Sequence, residues 1–291
     1  MKFLKENTNT LTDKLDLSGD LKSFLVSSDF KEMLNNYDID NIYKYTSGDS
    51  FSTRDVGTLT QILYSIDINP LKYLTYVPSY FLSGVDSTIN ISIPNNITSI
   101  SDYAFYNCSG LVGISIPDSV TTIGSRAFES CIKLTKIVIP DSVTSIGDTA
   151  FSDCGSLTDI TIGNGVTSIG DFAFEYCSSL KNITIPNNVT NIGSYVFTYC
   201  SDLYTITING NITKINNSFI KVCENLTEVF IPKTVLIIDS YSFSDCPSLR
   251  EIHYGGTKQE WRKIKKHGTW KTASPIQIIH CTDGDINYKI V

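Results

Sequence analysis

Hydrophobic positions recur with a fixed period of 23 residues between about residue 97 and residue 257. Cysteine keeps this interval in seven successive copies, at Cys108, Cys131, Cys154, Cys177, Cys200, Cys223 and Cys246. A leucine and a β-branched residue follow each cysteine at constant distances, as Leu111 and Ile114 follow Cys108. The unit reads V-T-x-I-G-x-x-A-F-x-x-C-x-x-L-x-x-I-x-I-P-x-x. A period of this length predicts a solenoid, in which each unit buries its apolar face against its neighbours.

The segment L-x-x-I-x-I predicts one β-strand in each unit. Its apolar residues alternate with period two, which is typical of a strand with one buried face. We therefore expect Leu111, Ile114 and Ile116 to point inward, and Gly113 and Ser115 to point outward. A turn follows, often beginning with proline, which fixes φ and ends the strand. Strands of successive units should pair in parallel and form one continuous sheet.

The rest of the unit should complete the coil. The segment A-F-x-x-C would bury a small, a large and a small side chain. The segment V-T-x-I-G ends in glycines that we expect at a corner with positive φ: Gly124, Gly147, Gly170 and Gly193. The sixth copy departs from the rule through Asn216, Phe219 and Ile220, so we expect a local bulge or repacking there.

The repeat resembles the BspA-like (Treponema pallidum-type) leucine-rich repeats, as in IPDSVTSIGDTAFSDCGSLTDI. The resemblance implies a curved solenoid whose strands line the concave side. It also implies a role in adhesion or protein binding, without enzymatic activity. The expected fold class is an α/β solenoid: a right-handed leucine-rich-repeat coil with one parallel β-sheet, a small helical N-terminal domain and a C-terminal cap.

Three domains are predicted. Residues 1–73 contain two stretches with helical spacing of apolar residues, so they predict a helical domain that is either a cap or an adaptor with its own partner. Residues 74–254 form the solenoid, with a degenerate unit at 74–96 and seven units from 97. Residues 255–291 form the C-terminal cap. There, a short helix should place Trp261 and Ile264 over the last coil, and a strand should form a hairpin through Asp283 and Gly284.

Charge limits the choice of partners. The net charge of −7 disfavours binding to nucleic acid or anionic lipid. A basic run in the cap is interpreted as a solvated face in preference to a nucleic-acid or lipid contact: Lys258, Arg262, Lys263, Lys265, Lys266 and Lys271. No apolar stretch is long enough to insert into a membrane. The N-terminal segment lacks the apolar region of a secretory signal. We therefore expect a cytoplasmic protein or a part of a virion or other assembly, and a surface location only if an export signal was removed.

Little in the sequence indicates chemistry. Seven cysteines follow the repeat, and their odd number and parallel side-chain directions favour free, buried thiols over disulfides. His253, His267 and His280 lack a third ligand at metal spacing, and His280 and Cys281 should face opposite sides of a strand. We therefore expect no catalytic residue, no metal and no cofactor.

The outward positions of the predicted strands are the candidate partner-binding surface. The proposed contact residues are Phe230, Glu228, Glu251, His253, Thr207, Thr184, Thr161 and Lys136. Threonine suits any exposed strand, so the threonines alone indicate nothing specific. The preference of threonine for exposed strands does not explain Phe230, Glu228, Glu251 and His253, which gather at one end of the sheet. A second aromatic set near A-F-x-x-C, including Tyr103, Phe172, Tyr195 and Tyr241, is better interpreted as packing between coils.

The sequence thus favours a non-enzymatic protein that binds a protein partner through the concave face of the solenoid. The alternative is a structural component of a larger assembly, such as a virion or surface structure, anchored through the N-terminal helices. Neither hypothesis fixes the oligomeric state.

Overall fold

The computed structural model describes Leu71 and residues 74–288. The helical domain predicted over residues 1–73 lies outside the described residues, apart from Leu71, which is buried. Within the described part of the chain, no helix is both long and apolar enough to span a membrane.

The L-x-x-I-x-I segments form a row of strands, which we call the long ladder. Its strands are Ile89–Ser92, Leu111–Ser115, Lys136–Ile139, Asp159–Ile162, Asn182–Ile185, Thr205–Ile208, Glu228–Ile231, Glu251–Tyr254 and Ile278–Cys281. Equivalent residues pair in parallel at the repeat interval, for example Ile183 with Ile206. The alternation buries Ile183 and Ile185 and exposes Thr184 between them. The predicted strands are confirmed, and their parallel pairing is confirmed within three groups of the row, which separate after Leu111–Ser115 and after Asp159–Ile162.

The V-T-x-I segments form a second row, the short ladder, also parallel. Its two-residue strands are Tyr76–Val77, Ser99–Ile100, Thr122–Ile123, Ser145–Ile146, Ser168–Ile169, Asn191–Ile192, Lys214–Ile215, Ile237–Ile238 and Lys265–Lys266. A third row lies in the later A-F-x-x-C segments and contains Phe197–Thr198, Ile220–Lys221 and Phe243–Ser244. The prediction of one continuous sheet is therefore wrong. Each coil has up to three extended segments separated by turns, and each segment pairs only with its counterparts.

Helix contributes little to the described residues, which form a β-solenoid rather than an α/β fold. Their single α-helix is Lys258–Lys263. It begins in a capping box, in which the Thr257 side chain accepts a hydrogen bond from the Glu260 amide and the Glu260 carboxylate accepts one from the Thr257 amide. This arrangement satisfies two of the amides that the first turn leaves unpaired.

Aromatic stacking runs through the centre of the coils. The rings of Phe128 and Phe151 are stacked at 5.1 Å with planes 4° apart, and Phe174 continues the row at 5.6 Å from Phe151. These side chains are fully buried. Because equivalent residues lie one coil apart, an identical residue in every repeat produces a continuous column. The predicted inward direction of A-F-x-x-C is confirmed.

The repeat glycines serve close packing rather than positive φ, so that prediction is wrong. Positive φ among the described glycines occurs at Gly84 and Gly284. A Cβ atom on Gly147 would lie 2.5 Å from the Ser125 nitrogen and 2.6 Å from the Gly124 carbonyl carbon. A Cβ atom essentially never lies this close to backbone atoms, so glycine lets the coils approach here without displacing the preceding coil.

The sixth unit is repacked and interrupts the short ladder, because Lys214–Ile215 pairs with the following unit but not with Asn191–Ile192 of the preceding one. Lys214 pairs with Ile237 and Ile220 with Phe243, both at the interval of 23 residues, so these strands show no bulge. Phe219 takes the position of the small residue, and its ring meets Phe197 edge-on at 85° instead of stacking. This repacking agrees with the prediction.

The residues that follow the last repeat cover the last coil. Trp261 is buried, and its indole N–H donates a hydrogen bond to the Tyr288 hydroxyl at 3.2 Å. The strand Ile278–Cys281 pairs in parallel with Glu251–Tyr254 and forms an antiparallel hairpin with Gly284–Asn287. These strands extend the long ladder beyond the last repeat.

The basic run of the cap divides into two groups. The Lys266 ammonium lies 4.4 Å from the centre of a Trp261 ring, and burial lowers the pKa of Lys266 to about 8. The Lys271 ammonium lies 4.5 Å from the centre of the Tyr288 ring. In contrast, Arg262, Lys263 and Lys265 are exposed. Part of the basic run therefore packs within the cap, and part is solvated surface.

Candidate binding surface at the end of the long ladder

The register of the long ladder brings several predicted contact residues into one outward column. Thr184 pairs with Thr207, Thr207 with Phe230, and Phe230 with His253. The next strand adds His280 beside His253. In the adjacent column, Thr205, Glu228 and Glu251 follow one another in the same way. We call Phe230, His253, His280, Glu228 and Glu251 the histidine corner.

Three rings of the histidine corner form a continuous stack. The Phe230 and His253 rings lie 4.1 Å apart with planes 11° apart. The His253 and His280 rings lie 4.6 Å apart with planes 22° apart. Their spacing follows from the ~4.8 Å distance between neighbouring strands. An aromatic stack on the outward face is not needed to fill the core of the coil.

Carboxylates surround the two imidazoles. The Glu228 and Glu251 carboxylates each lie 4.0 Å from His253 Nε2. Glu251 also lies 3.3 Å from His280 Nε2, and Asp285 Oδ1 lies 2.9 Å from His280 Nδ1. Both ring nitrogens of His280 therefore face an acceptor. Within residues 74–288, His253 Nε2 is buried and has no hydrogen-bond partner.

The surroundings separate the pKa values of the two histidines. Burial, and then the neighbouring His280, lower the pKa of His253 despite the nearby glutamates. Partial burial acts in the same direction on His280, but hydrogen bonds to Asp285 and Glu251 outweigh it and raise the pKa of His280. His280 therefore accepts a proton before His253 as the pH falls.

Two adjoining depressions extend along this face. One of about 490 Å³ is lined by residues that include Thr207, Phe230, His253 and His280. The other, of about 380 Å³, is lined by residues that include Thr161 and Thr184. Asn187 and Asn209 line both, so the two depressions are continuous along the turns that follow the strands.

Lys136 does not belong to the histidine corner. It lies on the strand Lys136–Ile139, and four strands of the long ladder separate this strand from Glu251–Tyr254. Its ammonium forms an exposed ion pair with Asp159 at 3.1 Å. An exposed pair of this kind contributes little to stability. The predicted contact set is therefore extended along the ladder, with its aromatic and histidine groups at one end.

Part of the second aromatic set packs between coils, in agreement with the interpretation from the sequence, whereas Tyr241 is exposed. Phe172 stacks on Tyr195 at 4.8 Å, and Tyr176 stacks on Tyr199 at 4.5 Å. All four residues have positive φ, and the residues of each pair lie one repeat apart. Each of these four rings therefore stacks on a ring of an adjacent coil.

The sequence profile of the BspA type leucine rich repeat region matches residues 75–178 and 144–263. The chain belongs to the BspA-type leucine-rich repeat family. The resemblance noted from the sequence is thereby confirmed, since the match includes all seven cysteine repeats. No curated protein matches the chain significantly.

Solved structures resemble this BspA-type chain to different degrees. The leucine-rich repeat protein of T. pallidum is 29% identical, with 56% of this chain and 78% of that chain covered and a TM-score of 0.50. A leucine rich cell surface protein from Faecalibacterium prausnitzii is 22% identical over 60% of this chain and 81% of that chain, with a TM-score of 0.32. The pneumococcal vaccine antigen PcpA is 16% identical over 75% of this chain and 76% of that chain, with a TM-score of 0.42.

Sequence reasoning missed two members of this site in the BspA-type chain. His280 pairs with His253 at an interval of 27 residues, because the cap helix lengthens the last coil. The period of 23 therefore does not align His280 with the outward column. Asp285 reaches His280 across the terminal hairpin, in which His280 and Asp285 are paired. The predicted hairpin was the one signal that placed them together.

Proposed function

We propose that this chain is a non-enzymatic binding protein and that a protein partner binds the histidine corner and the adjoining depressions. The observation that supports this proposal most strongly is the stack of Phe230, His253 and His280 on the outward face. Aromatic groups on a surface that does not contribute to the core are typical anchors of protein interfaces.

The charges of the corner indicate the chemistry of the partner. Glu228, Glu251 and Asp285 place three carboxylates around the rings. An arginine of the partner can stack on an aromatic ring and pair with a carboxylate at the same time. We therefore propose a partner segment with an arginine or lysine that contacts Phe230 and the glutamates.

Binding is favoured over catalysis because the polar groups lie on an open sheet surface. The side chains of His253, His280 and Glu251 are 29%, 31% and 36% exposed. Catalytic sites usually enclose their reacting groups away from water. A partially exposed aromatic and polar surface is better suited to recognising another protein.

A matched pair of variants tests this proposal. Phe230 and Val138 occupy the same position of the repeat, four coils apart, and Val138 is 62% exposed. Partners captured by the wild-type chain from its native source should bind Phe230→Ala about tenfold more weakly or worse, since loss of an aromatic anchor costs ~2 kcal/mol. Val138→Ala should bind like wild type. Equal affinities of wild type and Phe230→Ala for every captured protein would contradict the proposal.

A further inference from the structure

We propose that Glu251, His253 and His280 form a binding site for a divalent transition-metal ion, with zinc as the best-fitting ion. The three side chains offer ligand atoms that all lie within 4.8 Å of one another. The site is a property of this chain alone, so it does not depend on the proposed protein partner.

The donor set matches the chemistry of zinc. Zinc binds imidazole nitrogen and carboxylate oxygen, and two histidines with one glutamate are a known three-ligand set that leaves one position open. Harder ions such as magnesium and calcium prefer sites made only of oxygen ligands. Two imidazoles therefore favour zinc, copper, nickel or cobalt over the alkaline earth ions.

The distances are close to those of a tetrahedral site. With metal–ligand bonds of ~2.0–2.2 Å, neighbouring ligand atoms of a tetrahedral zinc ion lie ~3.3–3.6 Å apart. Glu251 Oε2 and His280 Nε2 already lie 3.3 Å apart. Glu251 Oε2 and His253 Nε2 lie 4.0 Å apart. Since the two imidazole planes are 22° apart, the rings must turn toward each other so that both nitrogens point at one ion. We expect rotation about the side-chain torsions of His253 and His280 to achieve this without movement of the two strands.

His280 has the outer-shell contact that is usual for metal-ligating histidines. Its Nδ1 lies 2.9 Å from Asp285 Oδ1. A carboxylate that accepts the Nδ1 proton leaves Nε2 available as the ligand and increases its basicity. A metal ion would then replace the proton between His280 Nε2 and Glu251.

His253 offers an independent indication. Its Nε2 atom is buried and makes no hydrogen bond within the described residues. A buried polar atom of this kind ordinarily has a partner. Coordination to a metal would provide that partner. The nearby Glu228 carboxylate, 4.0 Å from the same atom, adds negative charge that favours a cation.

Titration with metal tests the site on the full chain. Zinc added to chelator-treated protein should bind at one site by isothermal titration calorimetry. Cobalt should give the intense visible bands of a tetrahedral ion, without the near-ultraviolet thiolate band that cysteine ligation would produce. His280→Ala, His253→Gln and Glu251→Gln should each weaken zinc binding at least tenfold. Asp285→Asn should weaken it by ~10–100-fold, as expected for an outer-shell partner.

Two controls separate this site from other metal-binding groups. His267 lies near Asp239, at 3.5 Å, and outside the cluster. His267→Ala should therefore leave zinc affinity unchanged, and so should Cys281→Ser, which removes the half-buried thiol beside His280. Circular dichroism should show that every variant is folded.

Absence of zinc binding by the folded wild-type chain would overturn the proposal. Binding that persists in both His253→Gln and His280→Ala, or a cobalt spectrum with thiolate bands, would also overturn it. Since no partner is present in these titrations, a failure here would leave the proposed binding function to its own test.

Discussion

The thiol of Cys154 donates a hydrogen bond to the carbonyl oxygen of Phe128 at 3.2 Å. The same bond, across the same 26-residue separation, joins Cys177 to Phe151 and Cys200 to Phe174. Each cysteine thus fills a small buried space and also satisfies a carbonyl of the preceding coil. Alanine would fill much of the same space without the S–H donor. All eight cysteines of the chain are free.

The thiols of the folded protein should be nearly unreactive. Burial raises the pKa of Cys154 to about 12, and the thiolate is the reactive form. A thiol reagent should therefore label all eight cysteines in denatured protein, and only Cys281, with at most one other, in native protein. Mass spectrometry of labelled peptides measures this directly. Rapid labelling of most cysteines in the native state would disprove the buried thiol ladder.

Alkaline pH should destabilise the solenoid. The folded pKa of Cys108 and of Cys154 is about 12, above the value of ~8.5 in an unfolded chain. A raised pKa stabilises the folded state fully below the unfolded pKa, and this contribution is lost as the pH rises toward the folded pKa. Each such thiol should cost ~1.4 kcal/mol of unfolding free energy per pH unit above ~8.5.

Denaturant unfolding between about pH 8 and about pH 10 measures this loss. In Cys154→Ala, the unfolding free energy should fall less steeply with pH, by the ~1.4 kcal/mol per pH unit that one thiol contributes. This difference in slope does not depend on the stability that the substitution costs at neutral pH. An unchanged slope in this variant would show that Cys154 does not contribute to the alkaline transition.

The phenylalanine column should be a major source of stability. Phe151 is fully buried, with Phe128 and Phe174 stacked on its two faces. Phe151→Ala should lower the unfolding free energy by ~3–5 kcal/mol, because it leaves a cavity between coils. Val138→Ala, at an exposed outward position, should change it by less than ~0.5 kcal/mol. Similar small losses in both would mean that Phe151 is not in the core.

Substitution of a repeat glycine should destabilise the fold for a steric reason. Gly147→Ala would place a Cβ atom 2.5 Å from a backbone nitrogen of the preceding coil, so it should cost ~1–3 kcal/mol through overpacking. Gly268→Ala is the matched control, because a Cβ atom there has no neighbour within 4 Å. Thermal melting of the two variants provides the comparison. If Gly147→Ala is as stable as Gly268→Ala, the coils do not approach each other closely at Gly147.

The period of the sequence was sufficient to predict the coil, the parallel strands and the inward residues, because identical spacing places identical side chains above one another. It did not predict the role of Gly147, because close approach of two backbones depends on the radius of the coil rather than on local turn chemistry. It also did not reveal the short ladder, whose strands are only two residues long and show no alternation.

The candidate site was predictable only in part, for a related reason. Phe230 and His253 obey the repeat, so their outward column could be aligned from the sequence. His280 enters this column after the longer coil of the cap, and Asp285 enters through an antiparallel hairpin. Their positions depend on how the cap helix packs, with Trp261 buried against Tyr254 at a ring distance of 5.4 Å.

Photo-crosslinking is the most direct test of the proposed binding surface. A photo-reactive amino acid placed at position 230 or at position 138 samples the same position of the repeat, four coils apart. We predict that irradiation with the captured partner gives a covalent product from position 230 and little or none from position 138. Equal yields from both positions, or a product from position 138 alone, would contradict binding at the histidine corner.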